Sequence, residues 1–190
     1  TASIVNSDLV LYPQFKFEPF KFTIKFMNFD GTVQLAAAEV EAEFYCQITR
    51  IEEIMVFAQK IGAKKLGIAT CIGLMKEART AAKIFRHNGF EVVGLSCKAG
   101  VQKKVDVGID PKCNVVGENM CNPILQAKFL NEQGTDLNVV IGLCVGHDSL
   151  FYKYSEAPCT TLVTKDRVLG HNPAVALYQA DAYYKNKLFK

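Results

Sequence analysis

Three cysteines of this sequence each follow a short apolar segment of the kind that forms a buried strand. Cys71, Cys97 and Cys144 come after the first, second and third of these segments. In an open α/β sheet, binding sites lie beyond the carboxyl ends of the parallel strands. With the strands in the order 2-1-3, these three thiols stand side by side at one edge of the sheet. The pattern therefore predicts a site built from cysteine side chains.

Cys121 is the fourth candidate for this site. It stands before Asn122 at the predicted start of a helix, and it reaches the same edge if residues 98–120 fold back over the sheet. Converging thiolates are the ligands of zinc sites and of iron–sulfur clusters, and the positive end of a helix lowers the pKa of a nearby thiol. The predicted metal ligands are Cys71, Cys97, Cys121 and Cys144, with Cys113 and His147 as additional candidates.

Small residues near these cysteines favour an iron–sulfur cluster of the 4Fe-4S type over zinc. Gly73, Gly100 and Gly146 leave the thiols in a deep apolar setting. No C-x-x-C pair and no ferredoxin spacing is present, so the prediction depends on topology rather than on a motif. A fully ligated cluster suits electron transfer, and one held by three cysteines suits sulfur chemistry on a small molecule. A zinc-binding interaction module and a metal-free thiol enzyme remain alternatives.

Residues 142–149 carry several reactive side chains at a predicted strand-to-helix turn. One interpretation is catalytic: Cys144 is a nucleophile or ligand, His147 carries a proton, and Asp148 assists. The other interpretation is that Asp148 or Ser149 caps the next helix and that His147 forms only a local hydrogen bond. The sequence leaves both open.

A second polar segment follows the fourth predicted strand. Lys165, Arg167 and His171 project towards the same edge of the sheet, where the two cations can bind an anionic substrate. The alternative is structural: Asp166 pairs with Arg167 to shape the loop, and Asn172 caps the last helix.

Strand-type and helix-type segments alternate along most of the chain. Continuous apolar strands separated by helices are typical of a parallel sheet covered on both faces, and right-handed crossovers make such a sheet doubly wound. The sequence therefore predicts an α/β fold with a doubly wound, mainly parallel sheet of about four strands and helices on both faces. The predicted strands are 65–70, 90–95, 137–143 and 160–164, and the predicted helices are 36–44, 50–60, 74–87, 123–132, 149–154 and 172–184.

Residues 1–35 form a predicted N-terminal arm, ahead of a single α/β metal-binding domain at residues 36–190. Phenylalanines nearly alternate with polar residues in the arm, which predicts an extended chain, and Pro19 interrupts any strand there. An apolar surface of this kind needs a covering partner. That partner is either the main domain or another chain, and the second case predicts a homo-oligomer formed through the arm.

Composition limits the classes of protein that the sequence fits. The chain has 190 residues, of which 49% are hydrophobic, enough for one sizeable core. A net charge of +3 with scattered basic residues argues against nucleic acid as a partner. No apolar segment approaches the roughly 20 residues of a membrane helix, and no secretory signal pattern opens the chain. Seven cysteines, an odd number, fit a reducing compartment. We expect a cytoplasmic protein.

Five longer motifs resemble a known family. They are residues 69–74 (ATCIGL), 120–124 (MCNPI), 134–138 (GTDLN), 142–148 (GLCVGHD) and 165–173 (KDRVLGHNP). Together they resemble the uncharacterised family of domain of unknown function 1847, found mostly in anaerobic bacteria and archaea and usually labelled metal-binding. The resemblance covers about residue 36 to the end and implies metal binding. Members are described with four N-terminal cysteines as a zinc site. This chain has no cysteine before Cys46, so that site does not carry over.

Overall fold

Four short strands form one parallel sheet: β1 (Lys65–Thr70), β2 (Glu91–Ser96), β3 (Leu137–Ile141) and β4 (Cys159–Val163). The protein is represented by a computed structural model that describes residues 31–190. The strands lie in the order β2-β1-β3-β4, and every neighbouring pair is parallel. The predicted α/β fold and strand order are confirmed. Chain order reverses between β1 and β3, which is where α/β sheets of this kind open a binding crevice.

Helices cover both faces of the sheet. The helices within residues 31–190 are α1 (Gly31–Phe44), α2 (Arg50–Lys60), α3 (Met75–His87), α4 (Pro123–Glu132), α5 (His147–Tyr154), α6 (Ala174–Tyr178) and α7 (Lys185–Leu188). α2 and α3 pack against one face through a core that includes Ile54 and Phe85, and α4 and α5 pack against the other through Leu130 and Phe151. The same strands contribute side chains to both cores, because successive strand residues point to opposite faces of the sheet.

Capping side chains fix the starts of two helices. Thr49 caps α2 in a capping box, with the Glu52 carboxylate accepting the Thr49 backbone N–H at 2.7 Å. Asn122 caps α4 by accepting the Leu125 N–H at 2.9 Å, and proline occupies the first turn. The second cap matters for the site, because it fixes the helix that directly follows Cys121.

The structure corrects two of the predicted features. The last predicted helix, 172–184, is not continuous: only Ala174–Tyr178 is α-helical before the chain turns. α6 has no buried residue, so packing does not reinforce its helix propensity. The helical pattern on both sides of Cys46, between the predicted helices 36–44 and 50–60, predicts a packed side chain there, but Cys46 lies exposed in the turn after α1, with a positive φ of 58°.

The N-terminal prediction falls largely outside the described part of the chain. Residues 1–30, with the Phe-rich arm and the oligomer predicted from it, are not described. α1 begins at Gly31 and so crosses the predicted boundary between arm and domain. No helix within residues 31–190 is long and apolar enough to cross a membrane.

Candidate metal centre

Cys71 and Cys97 are placed side by side because they follow the neighbouring strands β1 and β2. Cys71 directly follows β1, and its N–H donates to Ile141 O at 3.1 Å; Cys97 directly follows β2, and its N–H donates to Thr70 O at 2.8 Å. Both residues therefore continue the backbone pairing of the sheet. Their exposed fractions are 6% and 3%, so the two thiols lie buried at the carboxyl edge.

Cys121 joins them because the loop before it folds back over that edge. Lys103 and Asn119 form an antiparallel bridge that closes the loop on itself, and the Asn122 N–H donates to Cys97 O at 2.7 Å. Lys98 Nζ donates to the carbonyl oxygens of two loop residues, one of them Asn119 at 2.7 Å. The loop geometry that the sequence prediction required is thus present.

Cys144 reaches the edge through a turn that needs glycine. Gly142, directly after β3, has a φ of +63°, and a Cβ there would lie 1.9 Å from a side-chain carbon of Leu74. Both the left-handed backbone and the close packing disfavour a side chain at this position. Cys144 is half-buried, and its carbonyl oxygen accepts the N–H groups of His147 and Asp148 at the start of α5.

The four thiols influence one another electrostatically. The Cys97 thiol, together with burial, raises the pKa of Cys71 to about 12, whereas the Cys97 thiol lowers the pKa of Cys121 to about 7. The pKa of Cys97 itself is raised, chiefly by the Cys121 thiol. Negative charge on Cys144 opposes ionisation of Cys121. Cys121 therefore ionises more readily than Cys71 or Cys97.

Each of these sulfur atoms has a hydrogen-bond donor or a positive charge nearby. Arg167 Nη2 donates to Cys144 Sγ at 2.9 Å and Lys165 Nζ donates to Cys71 Sγ at 3.5 Å. The backbone N–H of Ile72 donates to Cys97 Sγ at 3.3 Å. The charge of Lys98 favours ionisation of Cys121 and lowers its pKa. Every sulfur thus has a donor or a cation beside it, while burial and the neighbouring thiols still hold the pKa values of Cys71 and Cys97 above the ordinary thiol value.

The remaining cysteines lie elsewhere. Cys113 is exposed on the 3-10 helix Pro111–Val116, and Cys159 begins β4 at the amino edge of the sheet, opposite the site. All seven cysteines are free thiols. Within residues 31–190, no three Cys, His, Asp or Glu side chains converge on a position suited to one metal ion. Cys113 as a ligand stays a prediction.

The predicted catalytic residues lie on the neighbouring turn. His147 is the half-buried first residue of α5, and the Asp148 carboxylate accepts the Ser149 N–H at 2.8 Å. An acid in the first turn stabilises a helix, but Gly146 occupies the capping position and no side chain within residues 31–190 caps α5, so the predicted cap by Asp148 or Ser149 is wrong. In the part of the chain that the structure describes, the side chain donating to Cys144 Sγ is Arg167. A catalytic role for His147 and Asp148 stays a prediction.

The segment after β4 is shaped by Asp166 rather than by an Asp166–Arg167 pair. The Asp166 carboxylate accepts the N–H groups of Val168 and Leu169 at 2.9 and 2.8 Å. Its own N–H donates to His171 Nδ1 at 3.1 Å, while the His171 N–H donates to Asp166 O at 2.8 Å. This turn leaves Arg167 directed at Cys144. His171 holds the turn, and substrate binding by it stays a prediction.

Two contributors to the site were missed from the sequence. Lys98 directly follows Cys97, and the backbone N–H of Ile72 directly follows Cys71. The sequence shows a lysine next to a predicted ligand, and this could have identified Lys98. The Ile72 N–H could not be identified from the sequence, because any residue type can supply a backbone donor.

In the reduced, metal-free protein, Cys121 is expected to react with iodoacetamide faster than Cys71. Thiolate is the reactive form. With a pKa of about 7, Cys121 becomes reactive as the pH rises through neutrality, whereas Cys71, at about 12, stays protonated. Timed alkylation at pH values on either side of neutrality, followed by peptide mass spectrometry, measures both rates. Replacing the exposed Cys46 and Cys113 by serine removes the background. Equal rates for Cys121 and Cys71 would contradict the opposite pKa shifts of the two thiols.

Fold and site together define an α/β protein with a cluster of thiols at the carboxyl edge of its parallel sheet. Residues 21–162 match the family described as "Protein of unknown function (DUF1847)", and the chain belongs to that family. An uncharacterized protein of Methanocaldococcus jannaschii is 51% identical to it over 156 residues, covering 81% of this chain and 78% of the relative. The family resemblance inferred from the motifs is confirmed.

Proposed function

We propose that this protein holds an iron–sulfur cluster on Cys71, Cys97, Cys121 and Cys144. The observation that carries the proposal is that the four thiols gather at the switch point of the sheet, each with a donor or a cation beside its sulfur. Cysteine thiolates hold such clusters, and hydrogen bonds to their sulfurs tune them.

The chemistry of the donor set fits this group. A cluster on four thiolates is anionic, and the cations of Lys98, Lys165 and Arg167 surround the site. Burial of Cys71 and Cys97 shields the centre from water, while Cys144 is half-buried. These are the neighbours by which proteins orient and tune metal ligands.

Zinc is the alternative occupant of the same thiols. Tetrahedral zinc with Zn–S bonds of about 2.3 Å requires its sulfurs to converge tightly on one point, and within residues 31–190 no three Cys, His, Asp or Glu side chains do so. The zinc-binding module is the second candidate, and metal analysis separates it from the cluster.

When bound, the cluster would supply electron transfer or, with an iron open to substrate, sulfur chemistry on a small molecule. The chain's own residues would provide binding and proton handling at the same edge. Arg167 is exposed and keeps further N–H donors besides the one on Cys144. With Lys165 it would hold an anionic substrate, while His147 and Asp148 stand on the adjacent turn to move a proton.

Metal and sulfide analysis of protein purified without oxygen tests the proposal. We expect about four irons and four sulfides per chain with broad visible absorption. Stoichiometric zinc without colour would instead support the interaction module. A colourless protein with neither iron nor zinc would leave the thiol enzyme built on Cys144 and His147.

A further inference from the structure

Gln126 is a fully buried polar residue on α4. Its exposed fraction is 0%. Its side-chain Nε2 donates to two backbone carbonyl oxygens, Thr70 O at 3.1 Å and Leu95 O at 2.7 Å. Thr70 ends β1 directly before Cys71, and Leu95 is the penultimate residue of β2. One amide group therefore ties together the ends of the two strands that carry the buried thiols.

The same side chain is linked rigidly to Cys121. α4 begins at Pro123, and its first turn is closed by the cap of Asn122 on the Leu125 N–H. The Gln126 N–H donates to Asn122 O at 3.1 Å within that turn. Because the turn is fixed, the Gln126 amide sets the distance from Cys121, just ahead of the helix, to both strand ends.

The side-chain oxygen of Gln126 makes no hydrogen bond in the described part of the chain, which indicates that the role of this residue depends on its N–H donors. Oε1 is buried and has no hydrogen-bond partner within residues 31–190. An unpaired buried oxygen is destabilising, and an apolar side chain of the same volume would avoid it. The two donor contacts must therefore supply something that apolar packing at this position does not.

We infer that Gln126 is a positioning residue of the thiol centre, holding Cys71, Cys97 and Cys121 at their mutual spacing through its contacts with the ends of β1 and β2. The inference rests on the proposed function, which gives the spacing of the thiols its purpose. The contacts of Gln126 concern the positions of the thiols alone, so the inference can be tested in metal-free protein.

Asn138 supplies a matched control. It is also 0% exposed, and its amide bonds Ser155 Oγ and the Thr135 hydroxyl, each at 2.8 Å. It pairs with Cys159 at the amino edge of the sheet, away from the centre. Replacing it removes a buried amide network of similar size without touching the thiol edge.

The test compares Gln126→Met with Asn138→Leu in the full chain. Three quantities are measured for each: the midpoint of unfolding, the iron and sulfide retained, and the affinity of the metal-free reduced protein for phenylarsine oxide. That reagent bridges two neighbouring thiols through two As–S bonds, and its oxygen leaves as water with both thiol protons. Both variants should unfold more easily. Only Gln126→Met should lose arsenical affinity and cluster retention, by about tenfold or more.

Wild-type arsenical affinity and iron content in Gln126→Met, with unfolding changed as in the control, would overturn the inference. If Gln126→Met does not fold, Gln126→Glu keeps the shape and, when neutral, one donor. We expect it to lose part of the arsenical affinity, and an unchanged value overturns the inference equally. A wild-type protein that binds the arsenical tightly but no iron would refute the proposed cluster while leaving the role of Gln126 open to this comparison.

Discussion

Replacing Cys97 by alanine is expected to abolish retention of the iron–sulfur cluster while leaving the sheet folded. Cys97 is the central thiol, 3% exposed, and it shifts the pKa values of both Cys71 and Cys121. Its removal takes away one ligand and the thiol that lowers the pKa of Cys121, so that pKa should rise from about 7 towards the ordinary thiol value. Loss of one small buried group should cost about 1 kcal/mol of unfolding free energy.

Iron and sulfide per chain after anaerobic purification measure the result, with circular dichroism to show that the fold persists. Cys159→Ala is the matched control, because Cys159 is a partly buried cysteine at the opposite edge of the sheet. Cys46→Ser controls for an exposed cysteine. Both should keep the wild-type iron content. Full iron in Cys97→Ala, or equal losses in all three variants, would count against the assigned ligands.

Removing the positive charges of Lys165 and Arg167 is expected to make the reduction potential of the centre more negative. Lys165 Nζ lies 3.5 Å from Cys71 Sγ and Arg167 Nη2 lies 2.9 Å from Cys144 Sγ. Reduction adds negative charge, which a nearby cation stabilises. A unit charge about 4 Å away contributes about 1 kcal/mol in water, and a tenfold change in a one-electron equilibrium corresponds to about 59 mV. Each cation should therefore contribute on the order of tens of millivolts.

A redox titration of the double variant Lys165→Met, Arg167→Gln, followed by its visible spectrum, measures the shift. Exposure of Arg167 and added salt should reduce it. Arg86→Gln is the control: this exposed arginine at the end of α3 donates to Val92 O, in the amino-terminal half of β2. The reduction potential of the Arg86→Gln variant should match that of the wild type. A double variant with an unchanged or more positive potential would contradict the electrostatic role of both side chains.

The sheet could be predicted because its strands are short apolar runs with turns at their ends. α4 was predicted at the observed bounds, since Asn122 and Pro123 mark its start without help from tertiary packing. The last helix could not be predicted in the same way. Residues 172–184 contain good helix formers, but α6 buries none of its residues, so local propensity alone did not decide its length.

The parts of the site that lie at strand ends could be predicted from the sequence. The part that the long loop positions could not. Cys71, Cys97 and Cys144 follow from topology, because parallel strands end at one edge. Cys121 needed the loop to fold back, which is achieved by long-range hydrogen bonds such as Lys98 Nζ to Asn119 O. Gln126 was overlooked, although a glutamine on the apolar stripe of a helix, beside Ala127 and Leu130, is the kind of buried polar residue that marks a specific contact.

Mössbauer spectroscopy of protein isolated anaerobically from cells grown on ⁵⁷Fe tests the central claim most directly, because it reports how each iron atom is coordinated. We expect nearly all the iron to give the signal of tetrahedral sulfur coordination in a cluster, and we expect the signal to disappear in Cys97→Ala but not in Cys159→Ala. Iron in oxygen and nitrogen coordination, or no iron above background, would contradict an iron–sulfur cluster on these four thiols.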